Sequence, residues 1–254
     1  MSDQSHHWSQ AARVYEQEYV DPYRADVRSP LLATLHQLAD QEKVAADLGC
    51  GIGPLLPFLA EHFRHVYAID FAPGMLERSR ERCRGLHNVE FLQRVLTDLS
   101  PLAGKVDVAA AVNSLIMPAI PDLEMSLKQA HAVLRPGGVL VGIVPGMDAV
   151  HYLTMLLVDR ALASGKPMAA ARKNAAYHAE HEYYDFAFGQ FRYQGLEQHF
   201  WQPFEVRYRL RRAGFRSVRL AKVWLSWDQF RVGDELRKQP PPWDWFFQAE
   251  ATDA

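Results

Sequence analysis

Two rhythms of apolar residues alternate along the first part of the 254-residue chain. Short apolar runs at 44–48, 65–70, 89–93, 106–112 and 139–144 are the length of strands buried on both faces. Between them, segments 55–63, 73–84 and 123–134 space their apolar residues three and four apart, as a helix with one face on a sheet does. Glycines close the first run, and Pro136-Gly137-Gly138 stops the third helix. Strand and helix taking turns in this way imply a parallel sheet with short, right-handed crossovers.

The flanks carry other patterns. Residues 9–40 are expected to be largely helical, with breaks near Asp21-Pro22 and Ser29-Pro30, so that 1–40 form a leader or lid ahead of the sheet. After Pro145-Gly146 the periodicity changes: 151–164 is helical, and 177–204 is crowded with aromatics, histidines and carboxylates. Residues 147–204 are therefore expected to be a cap inserted after the fifth strand, where substrate specificity resides. A helix at 204–213, ended by Gly214, precedes two closing strands at 218–224 and 243–250. The expected fold is α/β, a single domain over 1–254.

Composition adds exclusions. With 48% hydrophobic and 23% charged residues the chain is neither disordered nor fibrous, and a formal net charge of −2 sets up no global field for a polyanion. Two cysteines, Cys50 and Cys83, are too few for a disulfide framework and point to a reducing compartment. The N-terminal MSDQSHHWSQ has no basic region followed by an apolar run, and no stretch approaches the ~20 apolar residues of a membrane span, so a cytoplasmic protein is expected.

Candidate chemistry begins at Asp47-Leu48-Gly49-Cys50-Gly51-Ile52-Gly53, at the carboxyl end of the first strand. Glycines there let the backbone bend tightly and approach a ligand, and the preceding acid suits an ammonium group. Asp70 ends the second strand about 20 residues further on, where an acid takes the ribose hydroxyls of a nucleoside cofactor. A nicotinamide fingerprint would need its third glycine at position 54, which is Pro54.

Through VAADLGCGIG (44–53), VYAID (66–70), LRPGGVLVGIV (134–144) and RRAGFRSVRLAKVW (211–224), the sequence resembles the class I S-adenosylmethionine-dependent methyltransferases. The resemblance implies a Rossmann-like, seven-stranded, mostly parallel sheet with helices on both faces and an antiparallel last strand. It implies S-adenosylmethionine as cofactor and S-adenosylhomocysteine as product. Asp47 would steer the methionine ammonium, and Gly49, Cys50 and Gly51 would supply backbone against the methionine half. Asp70 would take the ribose hydroxyls, Phe71 and Met75 would flank the adenine, and Leu96 would offer backbone to the adenine edge. Asn113 would line the site after the fourth strand. Tyr15, with Tyr19 and Trp8, would cover the cofactor as a lid, or else pack the leader on the sheet. Many relatives have an acid where this chain has Val95. Thr97 or Asp98 would replace it, or Asp98 would cap a turn.

The implied reaction is in-line transfer of a methyl group to an oxygen or nitrogen of a small, ring-bearing metabolite, for which positioning and water exclusion suffice. A general base helps a protonated acceptor, and His178, His181 and His199 are candidates, with His181 preferred. His178, Tyr183, Tyr184, His199 and Trp201 are candidates for acceptor binding, although the aromatics of the cap serve equally as its core. The stretch His178-Ala179-Glu180-His181-Glu182 lacks the HExxH spacing, so no metal is expected. The arginines at 207, 209, 211, 212, 216 and 219 raise an RNA or protein substrate as an alternative, and a non-catalytic cofactor-binding protein is another.

Overall fold

The structure is a computed structural model that describes residues 2–178, 184–185, 188–193, 196–230 and 232–252. Three helices lead the chain: α1 (Ser2–Ala11), α2 (Tyr15–Glu18) and α3 (Leu31–Leu38). The leader is helical from residue 2, seven residues earlier than expected, but turns replace helix between α2 and α3. There, the Asp21 carboxylate accepts from the Tyr23 N–H at 2.8 Å and Gln229 Oε1 accepts from the Asp21 N–H at 2.7 Å. Arg28 and Trp224 also exchange backbone hydrogen bonds. Backbone groups committed to partners far along the chain are lost to a helix ladder.

The sheet then builds by repeated crossovers: β1 (Asp40–Leu48), α4 (Leu56–His62), β2 (Phe63–Asp70), α5 (Pro73–Arg82), β3 (Val89–Gln93), β4 (Val106–Val112), α6 (Ile120–Val133) and β5 (Leu134–Pro145). β1 begins four residues before its apolar run because Asp40 pairs with Phe63 across an irregularity in the ladder. Alternate residues feed opposite faces. Ala46, Ala109 and Ala111 pack in one core layer, and Ala45, Val108 and Ala110 in the other.

Beyond β5 come α7 (Met147–Ala163), α8 (Met168–His178), β6 (Tyr184–Asp185), β7 (Gln190–Tyr193), β8 (Leu196–His199), α9 (Pro203–Arg212), β9 (Phe215–Trp224) and β10 (Trp243–Ala251). The main sheet has the order β3-β2-β1-β4-β5-β10-β9, parallel from β3 to β5, with β10 antiparallel to both β5 and β9. It is the seven-stranded Rossmann-like sheet with a reversed last strand. Strand order turns back between β1 and β4, and the crevice at their carboxyl ends is where open α/β sheets take ligands.

Helix α8 and a separate antiparallel sheet, β6-β7-β8, were not legible in the pattern of the cap. The cap is stitched to the body by main-chain bonds: His199 N–H to the Ile116 carbonyl at 2.9 Å, Trp201 N–H to Pro145 at 2.8 Å and Met147 N–H to Trp201 at 3.0 Å. Among the described residues no helix is long and apolar enough to cross a membrane.

Candidate cofactor and acceptor site

The glycine turn after β1 is tied to the end of β2. The Gly49 and Cys50 N–H groups both donate to the Ile69 carbonyl at 2.8 Å, and the Gly51 N–H donates to Asp70 Oδ2 at 2.9 Å. The other Asp70 oxygen accepts from the Ala72 N–H at 2.9 Å, just ahead of α5. Gly49 has a φ of +79°, and a Cβ there would lie 2.4 Å from Ser114 Cβ, so no other residue fits. A Cβ at Gly51 would meet nothing within 4 Å: the backbone there borders open space.

That space is a cavity of about 300 Å³. Of the ten cofactor residues expected from the sequence, Tyr15, Gly49, Gly51, Asp70, Phe71, Met75, Leu96 and Asn113 line it. Asp47 and Cys50 do not; both are buried, at 2% and 4% exposure, in and just behind the turn. The Cys50 thiol lies 3.9 Å from Ser79 Oγ.

Electrostatics single out Asp47. Burial and the neighbouring Asp70 charge push its carboxyl up to about 7, so an arriving cation would be stabilised there and would favour the ionised form. Burial also raises Asp70, against the pull of the N–H groups of Ala72, Gly51 and Phe71. Tyr23 escaped the sequence analysis. Burial, then the negative charge of Asp47, drive its hydroxyl well above its ordinary value, which puts the phenol in the field of that buried acid. The only signal was its place four residues after Tyr19 and eight after Tyr15.

Other walls come from three loops. After β3, Arg94, Val95, Leu96 and Thr97 line the cavity. Asp98 does not, since its Oδ1 caps the next turn, accepting from Ser100 Oγ at 2.8 Å. After β4, Asn113 adopts a φ of +50°, a strained value for a residue other than glycine. Its amide hydrogen-bonds to the buried carboxyl of Asp244, which burial pushes up to about 7. Asn113 Oδ1 is left buried with no partner. From the leader come Gln4, Trp8 and Tyr15. Tyr15 stacks on Tyr19 with ring centroids 4.9 Å apart, and Trp8 lies 5.4 Å from Tyr19.

The acceptor candidates fare differently. His199 and Trp201 do not line the cavity. His199 is fully buried, its Nε2 3.1 Å from Glu205, and Trp201 is 1% exposed, its indole N–H donating to the Leu115 carbonyl at 2.7 Å. Both fasten the cap to the body instead of facing a ligand. Phe191 packs on Phe200 at 4.5 Å, so these cap aromatics form core. His178 ends α8 and Tyr184 pairs with Phe191 in β6. His181 and Tyr183 lie outside the described residues, as do Glu180 and Glu182. Leu196, Glu197 and Gln198 of β8 reach the cavity, together with Ile116, Met117 and Pro118. The β8 residues carried no signal in the pattern, because nothing marked 196–199 as a strand.

Among the described residues no group of three or more His, Cys, Asp or Glu side chains is placed to hold a metal ion. Four arginines of the run make local contacts: Arg207 donates to the Val218 carbonyl at 2.7 Å, Arg209 pairs with Glu124 and Glu205, Arg212 donates to Tyr208, and Arg216 pairs with Glu250.

Sheet order, reversed last strand and a glycine-turn cavity beside an acid-ended second strand together define the class I methyltransferase fold. Residues 45–138 match the family model described as a methyltransferase domain, and the chain has the fold of the S-adenosylmethionine-dependent methyltransferases. It is 30% identical over 145 residues to the mitochondrial arginine-hydroxylase NDUFAF5 of Homo sapiens, covering 56% of this chain and 40% of that protein. It is 33% identical over 97 residues to the malonyl-[acyl-carrier protein] O-methyltransferase of Serratia marcescens, covering 37% and 35%. The chain thus spans well under half the length of these relatives. The N-methyltransferase NodS from Bradyrhizobium japonicum WM9, solved with S-adenosyl-L-homocysteine, shares the fold with a TM-score of 0.59 at 14% identity, covering 97% of this chain and 99% of that one.

Proposed function

We propose that this chain transfers a methyl group from S-adenosylmethionine to an oxygen or nitrogen of a small, ring-bearing molecule. The supporting observation is one cavity that runs past the glycine turn, Asp70 and the apolar Phe71 and Met75, and continues to the walls from β8 and residues 116–118. The residues fit the cofactor: the buried acid Asp47, whose charge behind the cavity wall would favour the ammonium, open space beside Gly51, and an acid at Asp70 for ribose hydroxyls. When bound, the cofactor supplies an electrophilic methyl on a sulfonium. The protein holds the acceptor in line, keeps water out under the Trp8 and Tyr15 leader, and needs no triad. Leu96 and Thr97 border the adenine end in place of the missing acid at Val95.

Calorimetry with S-adenosylmethionine and S-adenosylhomocysteine, followed by transfer of a methyl label into a metabolite extract, tests the proposal. Binding with a labelled small molecule supports it, and a label found only in RNA or protein overturns it. A second reading has one observation behind it: the relative named an arginine-hydroxylase carries other chemistry, and a fold does not dictate its reaction. Cofactor binding with no labelled product of any kind would favour that reading.

A further inference from the structure

We propose that Gln198 selects the acceptor, and that the acceptor class is a neutral, mainly apolar molecule presenting a carbonyl or hydroxyl oxygen to its carboxamide. The proposal rests on the methyl-transfer reading of the same cavity.

Gln198 is 6% exposed, lines the cavity, and has an Nε2 that is buried without a hydrogen-bond partner. Leaving a buried amide donor unpaired forfeits its hydration with nothing in return, and native chains keep few such groups. Ile116, Met117, Pro118 and Leu196 give the same cavity an apolar surface, beside the carboxyl groups of Asp122 and Glu197. A ring or alkyl body fits that wall, and one polar atom of the ligand answers the amide.

Charge narrows the class. Three acids line the cavity, Asp70, Asp122 and Glu197, the last 3.3 Å from Arg192, and together they disfavour an anionic acceptor. The cation on the wall, Arg94, belongs to the loop after β3 and lies 3.5 Å from Asp98. A carboxamide is neutral, so it hydrogen-bonds a neutral oxygen without leaving an uncompensated charge in the cavity.

The position of Gln198 is also fixed. Its neighbour His199 donates its N–H to the Ile116 carbonyl at 2.9 Å and sets its ring 3.1 Å from Glu205, which Arg209 holds at 2.6 Å. The strand and the loop after β4 form one wall, and a fixed donor loses little freedom when a ligand arrives.

Protein saturated with S-adenosylhomocysteine is titrated with phenol, acetophenone, toluene and benzoate, monitored by NMR. Phenol and acetophenone should bind about tenfold or more tighter than toluene, with benzoate weakest. Gln198→Leu should erase that preference while leaving toluene and S-adenosylhomocysteine affinities unchanged, and Gln198→Met repeats the test if the leucine variant does not fold. An unaltered preference in these variants, benzoate as the tightest probe, or no binding by either oxygen-bearing probe overturns the proposal. Failure of the wild-type protein to bind S-adenosylhomocysteine at all would instead overturn the cofactor assignment under the proposed function.

Discussion

Two buried acids do different work at the head of the site. Asp70 accepts from the backbone on both sides of the crevice, so it shapes the glycine turn as well as facing the cavity. Asp70→Asn retains one acceptor oxygen and should fold, with S-adenosylhomocysteine affinity reduced by roughly 1–3 kcal/mol, measured by calorimetry. Asp47, pushed up to about 7, is largely protonated below neutrality without ligand. An ammonium beside it lowers that value, so cofactor binding should release a proton and strengthen as pH rises from about 5 to 7. Calorimetry in buffers of different ionisation enthalpy reads this release directly. Asp47→Asn should abolish it, and a release that survives the substitution would remove Asp47 from that role.

Among elements, the leader is the one whose docking the sequence left open between lid and packing. It does both. Helix α1 lies on α5, where the Gly74 N–H donates to Ser9 Oγ at 3.2 Å and Arg78 donates to the Ala12 carbonyl at 3.0 Å, while Trp8 and Tyr15 border the cavity. A Cβ at Gly74 would sit 2.6 Å from the Ser9 carbonyl oxygen. Gly74→Val should therefore lift the leader, shift Trp fluorescence to the red and speed S-adenosylhomocysteine release severalfold, with the sheet intact by circular dichroism. Strands β3 and β4 were legible to the residue because both are bounded by turn signals. The cap was not. Its strands are two to four residues long, shorter than periodicity can register, and its histidine and tryptophan were read as ligand contacts when burial had given them supporting work. On the cofactor side the motif spacing carried most of the wall, while Tyr23 and Gln198 depend on contacts distant in sequence.

For the whole molecule, pH stability follows from which acids are held high and which low. Asp47 and Asp244 are both pushed up to about 7 by burial, so between pH 4 and 7 the folded chain binds more protons than the unfolded one. Stability of the ligand-free protein should fall across that window, by up to about 1.4 kcal/mol per pH unit for each group. Glu205 acts oppositely. Burial pushes it up, but the His199 ring and Arg209 outweigh that and hold it low, so its contribution is lost as pH falls into the acid range. Urea titrations should accordingly place the maximum on the acid side of neutrality. The double variant Asp47→Asn, Asp244→Asn should flatten the decline toward pH 7, and an unchanged decline would assign it to other groups.

The cap strand β8 reaches the body through main-chain bonds at His199 and Trp201, whereas Leu196, Glu197 and Gln198 reach the cavity. Attachment and recognition are thereby written in separate residues. Substitutions at 196–198 can rewrite which molecules are accepted while the strand keeps its anchorage, so a small library at these three positions is an economical route to new substrate scope on an unchanged scaffold.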